Sequence, residues 1–264
     1  MRKYVALGLT SLAIGLLTSA SAIAQQAVSQ PNAKIEAEGG SYINPTASQY
    51  AVGASFAAPL SDTLGLQVDA AAHNRTNAAT SGAAIHLFTR DPDAYLAGAA
   101  AGYVTTNAAN LFAVGPEIEF YADKLTIEAW AGWANMDYTS ALRTDKNGFF
   151  VLADIAFYAT DNTRISVGGG TILDTETVKL AIEHAFEETP VPFSLTGKIA
   201  WDEGFGTRAT IGFKSYFGEN DKSLIARHRQ DDPRNLGLDM FIGGLPAEAE
   251  PEEEVEEVEE DMDV

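Results

Sequence analysis

Cysteine is absent from this chain. In an exported protein that removes any disulfide framework, and it also removes thiol catalysis and thiolate metal ligation. Histidine is scarce, and His86 and His184 fall in different predicted strands with no short metal-ligand spacing. No basic stripe of the kind that tracks nucleic acid is present, which excludes that partner class. No glycine-rich phosphate loop occurs, because Gly168 to Gly170 lies inside a strand pattern. Asp161 and Asn162 are turn formers without calcium-loop spacing. No cofactor and no metal are therefore expected. Past residue 24, no apolar run approaches the ~18 residues a membrane-spanning helix needs.

What is present begins with a leader. Arg2 and Lys3 precede an apolar run from Val5 to Leu17, and Ala22-Ile23-Ala24 supplies a small-x-small cleavage site before Gln25. This pattern predicts a secretory signal over 1–24. An exported chain without a spanning helix is either soluble or a β-barrel. The net charge of −20 is unevenly spread: residues 248–263 hold eleven acidic side chains and no basic one. Setting aside the −11 of that tail and the +2 of Arg2 and Lys3 leaves −11 for the rest, acidic but mixed.

The clearest pattern is the stretch from Gly148 to Gly170. Phe149, Val151, Ala153, Ile155 and Phe157 alternate with Phe150, Leu152, Asp154, Ala156 and Tyr158. A polar turn at Asp161-Asn162 follows, and Ile165 and Val167 resume the alternation. Period-two runs about a short turn predict a β-hairpin. The same unit recurs, giving twelve expected strands near 34–42, 48–58, 64–73, 82–89, 94–104, 111–121, 125–135, 149–158, 164–172, 177–187, 193–201 and 207–217. Alternate links are compact, and two others, Asn74 to Ser81 and Met136 to Gly148, read as longer loops. Short turns at one mouth and long loops at the other mark outer-membrane barrels.

Aromatic placement points the same way. Tyr95 and Tyr103, Phe149 and Phe157, and Phe193 and Trp201 each share a face eight residues apart. At ~3.3 Å per residue that is roughly 26 Å along a strand, and a tilt of ~40° leaves about 20 Å across a bilayer. Ala97, Ala99 and Ala101 and their counterparts between the other pairs are apolar or small, as a lipid-facing band requires. These six aromatics are the expected membrane girdles. A soluble exported binding barrel would have to turn them inward and present Leu96, Gly98, Ala100 and Gly102 to water.

GPEIEFYADKLTIEAWAGW (115–133), GFFVLADIAFYATDNTRISVGGG (148–170) and GFKSYFGENDKSLIARHRQDDPRNL (212–236) resemble a family of proteobacterial outer-membrane, porin-like β-barrel proteins of unestablished activity. The resemblance implies barrel architecture and placement in a Gram-negative outer membrane, among its lipid and lipopolysaccharide. Gly212 and the terminal aromatic Phe217 are similar to the signal read by the barrel-assembly machinery, with Ser215 where that pattern has an apolar residue.

Phase along the strands gives the candidate lumen-lining residues: Asp69, His73, Glu117, Glu119, Glu128, Asp154 and Glu183, with Lys179, Lys198, Arg208 and Lys214 as cations. Rings of such groups tune ion selectivity in a narrow passage, and the acidic balance predicts a weak cation preference. Alternatively, they pair across strands and fill the interior. A barrel of eight strands is filled by side chains, whereas 16–18 strands leave a channel, and twelve lies between. A competing reading makes His73, with a nearby serine such as Ser81 and Asp69 as orienter, a lipid hydrolase or acyltransferase. No nucleophile elbow supports it, so a non-enzymatic protein is expected.

Asn220 to Arg229 reads as a short helix capped by Asn220 or Asp221, with Leu224 and Ile225 on one side and Arg227 to Arg229 on another. The chain thus divides into a signal at 1–24, a lead at 25–33, an all-β single antiparallel transmembrane barrel at 34–218, a periplasmic helix and extension at 219–246, and a disordered acidic tail at 247–264.

Overall fold

The computed structural model describes residues 26–43, 46–75, 78–173, 175–186, 189–219, 221–232 and 235–238. The signal expected at 1–24 and the tail expected at 247–264 lie outside the described residues, as does Asn220.

The strands are β1 (Asn32–Ile43), β2 (Thr46–Pro59), β3 (Gly65–Arg75), β4 (Ala78–Asp91), β5 (Tyr95–Thr106), β6 (Ala109–Ala122), β7 (Leu125–Tyr138), β8 (Lys146–Thr160), β9 (Thr163–Ile172), β10 (Thr175–Phe186), β11 (Phe193–Asp202) and β12 (Gly206–Phe217). Each pairs antiparallel with its sequence neighbour, and β1 pairs with β12 to close the barrel. Closure leaves no strand edge with unpaired backbone groups, the condition for β-structure in hydrocarbon. With twelve strands, β1 begins and β12 ends at the same mouth, here called the terminal mouth.

Alternation decides which face is which. In β8, Phe150, Leu152, Asp154, Ala156 and Tyr158 are buried while Val151, Ile155 and Phe157 stand exposed. The outward set is apolar around the barrel: Val151 is 51% exposed, Leu195 52% and Ile199 53%. A belt of this kind is far larger than the apolar patches of a water-soluble monomer. The barrel is of the transmembrane class. Leu96 and Ala100, which a soluble barrel would have to expose, are buried.

The loop lengths differ from the sequence expectation. β3 continues to Arg75 and β4 begins at Ala78, so only 76–77 separates them where a loop from Asn74 to Ser81 was expected. Likewise β7 and β8 extend to Tyr138 and from Lys146, leaving 139–145. Polar residues at the barrel rim stay in the ladder because the neighbouring strand continues to pair with them, as in Asn135↔Asn147.

One irregularity bears on the interior. Pro116 interrupts β6, and the β6–β7 register omits the pairs between Val114↔Trp133 and Glu117↔Trp130. There Gly115 and Gly132 approach so closely that a Cβ on either would fall 2.7 Å from the other's Cα. Only glycine permits that contact. Trp130, inward by the alternation of β7, donates from Nε1 to Gly115 O at 3.3 Å.

The lumen is filled unevenly. One half, under β4 to β8, is apolar: Ala84, Val104, Leu111, Trp130, Phe150 and Leu152 form one cluster that also includes Leu236 and Leu238. These last two come from the chain beyond the barrel. After β12 the chain forms α1 (Leu224–Gln230), capped by Ser223, whose side chain accepts from Ala226 N, and not by Asp221. The basic side of α1 does not face solvent: Arg227 and His228 are buried. Arg227 lies over the Tyr216 ring and Arg229 over Tyr121 and Tyr158, within 6 Å of each centroid. The helix therefore sits in the terminal mouth among tyrosines, where planar guanidinium groups stack. The lead contributes too, with Ala27 and Val28 packed against Phe88, Leu96 and Tyr121.

Candidate functional site

The other half of the lumen is polar. All eleven lumen candidates lie on strand faces that point inward, and they meet in separate groups. Arg164, not among the candidates, joins two of them: its Nη2 donates to Glu128 Oε1 at 3.0 Å and to Asp154 Oδ1 at 2.6 Å. Lys179 Nζ stands 3.7 Å from Asp154 Oδ2. Asp69 and Glu117 flank a second unpredicted partner, His86, at 3.3 Å from Nε2 and 2.7 Å from Nδ1. Gln67 Nε2 donates to both oxygens of Asp69 at 3.0 Å. Glu119 accepts from the Tyr121 hydroxyl at 2.7 Å.

Nearer the terminal mouth, Glu183 accepts from Ser194 Oγ at 2.6 Å, from Lys214 Nζ at 3.0 Å and from the Tyr216 hydroxyl. His228 of α1 reaches the same group, its Nε2 4.0 Å from Glu183 Oε2 and its Nδ1 2.8 Å from the Tyr158 hydroxyl. Towards the opposite mouth, Lys198 pairs with Glu38 at 3.1 Å, and Arg208 with Asp202 at 3.0 Å. Buried charges persist only when paired in this way.

Between these groups runs a cavity of about 140 Å³. Its charged lining is Lys34, Arg164, Lys198, Arg208 and Lys214 against Glu36, Glu38, Asp69 and Glu183, with His73 at one end. Asn235 and Leu238 of the C-terminal segment form part of its wall. Of the lining, Lys34, Glu36, Glu38 and Arg164 escaped the sequence reading, although the period-two phase of the first strand would have found the first three.

The proposed hydrolase pairing does not form. His73 is buried in the interior with Nε2 2.9 Å from Gln49 Oε1, while Ser81 is exposed on the outer face. In the β3–β4 register His73 faces Thr80 and Ser81 faces Ala72, so the strand pleat holds histidine and serine on opposite sides of the wall. Asp69 is taken up by Gln67 and His86.

The girdle candidates lie on outward strand faces: Tyr103, Phe149, Phe157 and Trp201 are exposed, and Tyr95 and Phe193 half-buried. Neighbouring aromatics extend them. Trp133 packs edge-on to Phe149 and Phe186 stacks on Phe193 at centroid distances of 5.0 and 4.9 Å. His184, in the apolar phase of β10, points outward to Thr163 and Phe186.

No family model and no curated protein sequence matches the chain. Among solved structures, it is similar to the KdgM porin at 7% identity and TM-score 0.48, over 71% of this chain and 99% of that one. It is similar to the NanC porin at 5% identity and TM-score 0.48, over 72% and 100%. The translocator domain of autotransporter NalP from Neisseria meningitidis gives 10% identity and TM-score 0.40, over 72% and 88%. The barrel assignment rests on the chain's own strand pairing and closure, independently of these likenesses.

Proposed function

We propose that the protein is a narrow, porin-like channel of a Gram-negative outer membrane, through which small hydrated solutes pass along the polar half of the lumen. The observation that carries this reading is the polar cavity bordered by Lys34 and Glu183 towards the terminal mouth and by His73 and Arg208 towards the other. At the ~30 Å³ that a water takes up in the liquid, it holds on the order of five waters. In this orientation the terminal mouth, with α1 in it, opens to the periplasm. Membrane lipid and lipopolysaccharide surround the belt, and the assembly machinery inserts the barrel.

The lining favours neither sign strongly, since five cationic side chains face four carboxylates. Cation preference, where it exists, comes from the acidic balance of the whole barrel and is weak. Planar-bilayer recording of the refolded protein tests the proposal. Discrete openings with a reversal potential slightly on the cation side are expected in a salt gradient. A correctly folded barrel that gives no openings under any condition overturns the channel reading.

A further inference from the structure

We infer that the segment following α1 is a removable stopper, and that the barrel at rest is held closed by it. The inference rests on the channel reading for its consequence and on packing for its existence. Closure of the sheet between β1 and β12 is complete without this segment, which adds no strand to it. The segment is instead a guest inside a finished wall.

Its path can be followed by what it touches. Asp232 pairs with Lys34 at 2.8 Å, in the first turn of the pleat of β1 at the terminal mouth. Leu236 borders the ring of groups formed by His86, Glu117, Glu119, Glu128 and Trp130. Leu238 reaches Gly82, where an added Cβ would fall 2.9 Å from its Cδ2 and 2.8 Å from Val104 Cγ2. Gly82 pairs with Val104, close to the end of β5 at the opposite mouth. From Asp232 to Leu238 the contacts of the described residues shift from the terminal mouth to near the opposite one.

The seat is shaped for it. Gly237 lies against the Trp130 indole so closely that a Cβ would stand 1.6 Å from Cζ3. Leu236 and Leu238 on either side are 5% and 4% exposed. Because Asn235 and Leu238 also wall the polar cavity, withdrawing the segment would join that cavity to the space it vacates. Besides the Asp232–Lys34 pair, two attachments hold its base at the mouth. Lys222 Nζ bonds Asp231 Oδ1 at 2.6 Å, and Ser29 N donates to Gln230 O at 2.9 Å. A tethered base and an apolar tip make a stopper that can leave and return.

The test uses two variants in a background where Trp133 and Trp201 are phenylalanine, so that Trp130 alone reports. Gly237→Leu removes the room for the seat in an otherwise full chain. A stop after Asp232 removes the tip and keeps the pairs at the mouth. Folding is verified by heat-modifiable migration, then single-channel conductance and acrylamide quenching of Trp130 are measured. Both variants are expected to conduct several-fold more than the parent, with quenching raised at least two-fold. Folded variants that match the parent in both readouts overturn the stopper, and the channel reading survives if the parent itself conducts. Raised quenching without current in any form sustains the stopper and removes the channel.

Discussion

Gly237 and Trp130 occupy one another's space as closely as a backbone and an indole can, with the Trp130 ring also edge-on to Phe150 at a centroid distance of 5.1 Å. The indole is thus both the floor of the apolar half-lumen and the seat of the C-terminal segment. Trp130→Ala should cost about 3–5 kcal/mol, the usual loss for a large aromatic removed from a packed interior. Urea unfolding in detergent micelles measures it. A loss under about 1 kcal/mol would mean that the cluster around Trp130 is not tightly packed.

Arg164 holds two buried carboxylates, Glu128 and Asp154, and also donates to Ser166 Oγ at 2.9 Å. Removing one partner of a buried ion pair leaves the other charge without compensation, at about 3–5 kcal/mol. Arg164→Met is expected to lower stability by that order. The double change Arg164→Met and Glu128→Gln should recover at least half of it, since Glu128 then carries no orphaned charge and Asp154 keeps Lys179 beside it. Equilibrium unfolding of the set decides: no recovery means that Arg164 matters for packing and not for charge.

The serine at the outer wall offers a register test. Ser81→Leu places an apolar side chain on the belt and should leave stability within about 0.5 kcal/mol or raise it. Thr80→Leu, one position away, enlarges a buried residue beside His73 and should cost about 1–3 kcal/mol. Equal effects of the two would place the β4 register one residue out.

Much of this was legible in the sequence because side-chain alternation is a local property. Phe149 to Tyr158 declares its two faces without help from the rest of the chain, and the same rule put Asp69, Asp154 and Lys198 inside. Partnerships were not legible, because they join residues distant in sequence. Arg164 meets Glu128 only once β7, β8 and β9 stand side by side. The seat of α1 is not legible in the sequence for a related reason. Arg227 to Arg229 make one side of the helix basic, and the tyrosines and the Glu183 carboxylate that receive them come together at the mouth from several distant strands. Nothing in LIARHRQ alone announces that receptor. The rim strands were underestimated because polar residues such as Asn135 and Asn147 break the apolar rhythm without breaking the ladder.

The outer face should show a depth-dependent penalty for charge. Ala153 lies midway between Phe149 and Phe157 on the outward face of β8, whereas Phe157 is a girdle candidate. In lipid vesicles, Ala153→Arg is expected to cost about 2–4 kcal/mol and Phe157→Arg only about 0–1 kcal/mol beyond its lost aromatic contact. Matching penalties for the charge at the two depths would argue that no bilayer gradient surrounds this strand.

Acid should tighten the stopper through Asp232. Burial pushes its carboxyl above the ordinary value, against the opposing pull of Lys34 and, more weakly, Lys214, and with Asp69 adding to the rise. A carboxyl with a raised pKa in the seated state binds its proton more readily there than when free. Its contribution to seating is therefore fully present below the unperturbed carboxylate pKa of about 3.9 and is lost as pH climbs through the raised value. Single-channel recordings between pH of about 4 and about 7 should show open probability rising with pH. Asp232→Asn cannot titrate and stands in for the protonated carboxyl, so it should flatten that part of the profile and hold open probability near its low-pH value. An open probability that falls as pH rises, or an unchanged slope in Asp232→Asn, would show that this carboxyl does not control the seat.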